Sequence, residues 1–233
     1  MPCWGTTRRC WTRPADASAS RAAVGTSTFI HFKYLWLIAD EARARAERFA
    51  NEHTPADFGQ GPVAVVFAVA ATEAYINEVS HLVKQDAYLY PDTPLVDFGA
   101  QMTQAVANKM SIEEKYLLAS KLLGQPFQRG QKPFQDLVTV IAARNFLVHQ
   151  IPVLSEVIAN LEQVGIATKR TTFRNYLDED EPMGSQVDAL SNPTVARWAC
   201  DTAANIIVAV MDMFPPCASA SVGLLRSGFP PET

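Results

Sequence analysis

Charge is scarce in this chain, and so is cysteine. Charged residues make up 19% of the 233 and the net charge is -4. That excludes a broad basic surface for coating duplex nucleic acid, and it leaves room for a small phosphate-handling cleft. The four cysteines, Cys3, Cys10, Cys200 and Cys217, form no C-x-x-C pair, and no histidine stands at zinc spacing to them. Reduced thiols in a cytoplasmic protein are the expectation, with no metal and no cofactor implied. No run reaches the ~18 uninterrupted apolar residues of a membrane span. Arg8-Arg9 is not followed by an apolar stretch, so an export signal fails. Strand-like alternation and internal repeats are missing too. What is abundant is apolar residues, 48% of the chain, enough for a real buried core.

The pattern along the chain divides it into one domain with ragged ends. Residues 1–27 hold Arg8, Arg9, Arg13 and Arg21 among Ser and Thr, with Asp16 the one acid. The mixture loosely resembles a transit peptide. A disordered extension, or a stretch outside the natural reading frame, is the preferred reading. Residues 28–214 form the domain, and residues 215–233 are expected to be a loose tail.

Within the domain the apolar spacing is helical. Phe29, Phe32, Leu35, Trp36 and Ala39 recur every three or four residues and predict a first long helix to about Asn51. A loop follows over His53 to Gly61. Pro62 suits a first helical turn, and Val63 to Gln85 is apolar nearly all round in its first half, which predicts a central buried helix. Glu73, Asn77 and Glu78 interrupt it and argue against a membrane span. Tyr88 to Asp97 reads as a loop, and Phe98 to Lys109 as a short helix. Ser111 and Glu114 fit a capping box ahead of a helix that runs to about Leu123 and stops at Gly124. Phe134, Leu137, Val138, Ile141, Phe146 and Val148 mark the next helix, and Val153 to Gln163 another. Ala167 to Asn192 reads as a long polar loop carrying Lys169, Arg170 and Arg174 beside the acidic run Asp178 to Glu181. Asn192-Pro193 opens the last long helix, which ends at Phe214 before Pro215-Pro216. The expected fold class is all-α, a bundle of four to five long helices with short ones added.

One motif carries chemical information. The segment Phe134 to His149 ends in Arg144-Asn145-x-x-x-His149. This resembles the signature of the HEPN (higher eukaryotes and prokaryotes nucleotide-binding) superfamily, in which an Arg with a polar residue after it precedes a His. Ala71 to Glu78, with its acidic Glu73, resembles the second core helix of many members. Ser111 to Tyr116 resembles the short helix upstream of the signature. The resemblance covers roughly Thr28 to Phe214, and these three patches carry it. It implies a metal-independent endoribonuclease, with a composite cleft between the two subunits of a homodimer. It is compatible with a toxin or effector of a defence or stress module, and so with an antitoxin or another protein partner.

The residue types fit that chemistry on their own terms. An imidazole near its free pKa can take the ribose 2′-hydroxyl proton or give one to the leaving 5′-oxygen. A guanidinium fork matches phosphate oxygens and the charge that grows on phosphorus. Asn145 could orient either group. Asn145 and His149, four apart, share a face, as do Glu73 and Asn77. Arg144 and His149, five apart, diverge by about 140° on a regular helix. The reach of the Arg side chain, or a distorted last turn before Pro152, would have to reunite them. Lys169, Arg170 and Arg174 could guide RNA, although the neighbouring acidic run would cancel much of their field. His31, His53 and His81 are isolated and read as non-functional. Two other readings compete with the nuclease. One is a non-catalytic HEPN module that binds a nucleotide, an RNA or a protein. The other is a scaffold in which Arg144 forms only a buried ion pair with Glu73.

Overall fold

A computed structural model describes residues 31–52, 59–89, 95–149, 190–215, 220–227 and 229–230. Among the described residues every regular element is a helix: α1 (His31–Glu52), α2 (Gln60–Leu89), α3 (Val96–Ala107), α4 (Ile112–Leu122), α5 (Phe134–His149), α6 (Pro193–Met213) and α7 (Ala220–Arg226). The all-α expectation holds. The helix expected over Val153 to Gln163, the polar loop from Ala167 and its Lys169, Arg170 and Arg174 all lie outside the described residues, as does the stretch 1–27.

The centre of the molecule is α2. It packs against α1, α3, α4, α5, α6 and α7. Ala64, Val65, Ala68, Val69, Ala71, Tyr75, Ile76, Val79 and Val83 along it are fully buried. A helix apolar on most of its circumference must be surrounded, and here other helices surround it. By length and composition, Gln60–Gln85 could also cross a membrane, and 56% of its most apolar window is buried inside the protein. Glu73, Asn77 and Glu78 therefore do not disqualify it on composition. Each of the three is half-buried, and the buried core helix of a folded domain passes the same test of length and composition.

Two glycines allow close helix approach. A Cβ at Gly61 would lie 2.9 Å from the Ser191 Cα, and one at Gly99 would lie 2.8 Å from the Lys84 Cα. The start of α2 thus seats against the segment leading into α6, and α3 seats against the end of α2. Two helix boundaries also differ from expectation. The loop expected over Tyr88 to Asp97 is shorter, because α2 runs on to Leu89 and α3 already begins at Val96, with Asp97 in its first turn. A carboxylate there complements the positive helix start.

Local chemistry fixes the ends of α4 and α6. Ser111 Oγ accepts from the Glu114 N–H at 3.2 Å, and a Glu114 carboxylate oxygen accepts from the Ser111 N–H at 3.0 Å. The capping box read from the sequence is present. At the far end Gly124, at φ +77°, donates to the Lys121 carbonyl while Gln125 donates to that of Ser120. This is the paired termination that a left-handed residue permits. Asn192 caps α6 by accepting from the Thr194 N–H at 2.9 Å, with Pro193 at the first helical position.

The C-terminal segment differs from expectation. Residues 215–233 do not form a wholly loose tail, since α7 lies within them. Val222, Leu225 and Phe229 are buried. The Phe229 ring meets Phe32 and Trp36 edge-on at centroid distances of 5.1 and 5.5 Å. Three apolar residues at spacings of three and four give the segment one sticky face, and α1 and α2 offer the apolar surface it needs. Pro215-Pro216 ends α6 without ending the fold.

Candidate functional site

The signature residues occupy the last two turns of α5. The first half of that helix is anchored: Phe134, Leu137, Val140, Ile141 and Ala143 are buried, and Phe134 stacks on Phe127 at 5.8 Å. Towards its end α5 emerges from the core. Arg144, Asn145, Phe146 and Leu147 are half-buried, while Val148 (51% exposed) and His149 face solvent. Helical structure continues through His149. The distorted last turn that would swing His149 towards Arg144 does not occur, and on a regular helix the two side chains leave about 140° apart.

Arg144 turns towards α2. Its Nη2 lies 3.8 Å from Glu73 Oε2, with side-chain exposures of 22% and 42%. The expected Glu73–Arg144 partnership exists, but it is a loose pair open to water and not a buried bridge. The purely structural reading needed a Glu73 that would be stranded in the interior, and this exposure removes that need. Among the described residues no hydrogen bond or ion pair links Arg144, Asn145 and His149 to one another. One chain therefore presents the guanidinium and the imidazole as neighbours on α5, pointed different ways.

Asn77 sits one turn beyond Glu73 on the same face of α2, and its Oδ1 accepts from Lys115 Nζ at 3.0 Å. Lys115 is only 4% exposed. Reading the sequence overlooked it. The available signal was its place in α4: Ile112, Lys115, Tyr116 and Ala119 recur at helical spacing and form the buried face, so a lysine stands in an apolar register. Its neighbour Tyr116 donates to the Thr72 carbonyl at 3.0 Å. The result is a polar seam along α2, with Arg144 of α5 at Glu73 and Lys115 of α4 at Asn77.

The remaining polar groups lie elsewhere. His81 pairs with Gln85 at 2.9 Å further along α2. His31 contacts Glu78, whose backbone-bonded carboxyl is nonetheless pushed above the usual carboxylate range by burial. Cys200 is buried, and desolvation pushes its thiol up to about 12. Such a thiol is a core residue and not a nucleophile. Among the described residues no group of three His, Cys, Asp or Glu side chains could hold a metal ion. Comparison with family models, with curated proteins and with solved structures finds no match.

Proposed function

We infer that the chain is a HEPN-type endoribonuclease that acts without a metal, as a homodimer in the cytoplasm. His149 serves as general acid and base, Arg144 holds the scissile phosphate, and Asn145 orients one or the other. Glu73 keeps Arg144 in place between encounters. Lys169, Arg170 and Arg174 would add attraction for the strand. The observation that carries the reading is the Arg144-Asn145-x-x-x-His149 motif at the emerging end of α5, with Arg144 in reach of water and His149 exposed. A phosphodiester can approach both groups.

The divergence of the two side chains favours a composite site. A regular α5 cannot close Arg144 and His149 of one chain around a single phosphorus, so a second copy supplies the complement. This role suits a toxin or a defence or stress effector, held in check by an antitoxin or another protein.

The test is cleavage of mixed RNA by purified protein in EDTA. Acid–base help is worth about 10²–10⁴-fold, so His149→Ala should lose about that much activity with unchanged thermal stability. Equal cleavage by variant and parent would remove His149 from the chemistry. A second reading is favoured by the Glu73 contact, which already occupies Arg144. Under it the chain is a non-catalytic module for a nucleotide, an RNA or a protein. RNA binding that depends on Arg144, with no turnover by the parent, would decide for that reading.

A further inference from the structure

Lys115 stands where an apolar residue belongs. It shares the buried face of α4 with Ile112, Tyr116 and Ala119. Burying an ammonium is costly unless an anion faces it. Among the described residues Lys115 donates to a neutral partner, the side-chain oxygen of Asn77 at 3.0 Å. A methionine would fill similar space with no charge to desolvate. Packing energy therefore gives no reason for a lysine here.

The pairing does have a chemical consequence. An ammonium can only donate, so it fixes which end of the Asn77 amide faces it. The oxygen turns to Lys115, and the NH2 group keeps both N–H bonds for another partner. Tyr116, next along α4, donates to the Thr72 carbonyl and pins the two helices together just before this turn of α2. Asn77 is half-buried and lies one helical turn from Glu73, which meets Arg144. Side chains so spaced are neighbours, about 5–6 Å apart at Cβ. The Asn77 amide and the Glu73 carboxylate that meets Arg144 thus stand on successive turns of one face of α2, and donor groups placed along one face suit a ligand rich in acceptors.

We propose that Lys115 is a positioning residue, which turns the Asn77 amide so that its N–H bonds meet a phosphate or ribose oxygen of the RNA strand lying on Arg144. This rests on the ribonuclease reading and extends its binding site from α5 onto α2 and α4.

Two variants test it, each followed by thermal unfolding and by fluorescence anisotropy of a short unstructured oligoribonucleotide in EDTA. Asn77→Asp keeps an oxygen for Lys115 and adds an opposite charge, but it replaces the outward donor with an acceptor. Its melting temperature should equal or exceed that of the parent, while its RNA affinity falls about tenfold or more, since phosphate would meet a like charge. Stability and binding then move in opposite directions, which a merely structural role would not produce. Lys115→Met should fold and bind several-fold more weakly, with an unchanged salt slope, because a direct phosphate contact would lower that slope by about 0.7 for a single strand. RNA affinity that is unaltered in Asn77→Asp, or a reduced slope in Lys115→Met, would overturn the proposal while leaving the nuclease reading intact. A parent that neither binds nor cuts RNA would overturn both.

Discussion

Arg144 shows how a single residue can look structural and still be free to act. An arginine inside a bundle needs a carboxylate, and Glu73 supplies one. The pair is open to water at 3.8 Å, however, and exposed pairs of this kind contribute little to stability. Arg144→Ala should therefore cost about 0.5 kcal/mol or less in urea unfolding, and a loss of 3 kcal/mol would restore the buried-bridge reading. The same looseness leaves the guanidinium able to exchange a carboxylate for a phosphate without dismantling the core. Lys115 is the opposite case. The Lys115 side chain is buried and bound to one amide, so its effect must pass through Asn77.

At the scale of elements, α4 is defined by its ends. Ser111 and Glu114 satisfy each other's backbone N–H groups. Ser111→Ala should cost about 1 kcal/mol, measured by chemical unfolding. The Ser111 hydrogen bonds hold the Glu114 carboxyl below the usual carboxylate range. A folded-state pKa lowered in this way stabilises above the unfolded carboxylate range and is lost as pH falls through the lowered value. The gap between Ser111→Ala and parent should accordingly narrow in acid, and a gap that widens would contradict the capping role. Because α4 carries Lys115 and Tyr116 to α2, a frayed start would also disturb the seam beside Arg144. The end of α3 is less comfortable. Lys109 adopts φ +54° where glycine is usual, while Met110 donates to the Ala105 carbonyl. Lys109→Gly should be neutral or stabilising by up to about 1 kcal/mol, read as a higher urea midpoint.

At the scale of the whole molecule, α7 and the proposed pairing of copies each make a prediction. Phe229 closes an aromatic cluster with Phe32 and Trp36. Phe229→Ala should destabilise the protein by about 3 kcal/mol; a change below 1 kcal/mol would mean that the C-terminal segment adds little to the fold. The proposed composite site makes a different prediction. Mixing inactive Arg144→Ala with inactive His149→Ala chains should restore part of the cleavage, since a mixed dimer contains one site with both groups intact. No recovery after subunit exchange, confirmed by mass, would count against a site shared between copies.

Much of the fold was legible in the residues. The spacing of Phe32, Trp36 and Ala39, the nearly all-round apolarity of 63–76, the capping box at Ser111, the stop at Gly124 and the Asn192-Pro193 start are local signals, and local signals survive into the structure because they concern neighbours within one or two turns. The Arg144 motif was equally visible as a string. The contacts between elements were not. Nothing near Lys115 in sequence says that Asn77, 38 residues earlier, will accept its hydrogen bond. Nothing after Pro216 says that Phe229 will find Phe32. Periodicity specifies which side of a helix is buried; only the packing of helix upon helix decides which polar group meets which, and whether a buried charge has been left with a neutral partner.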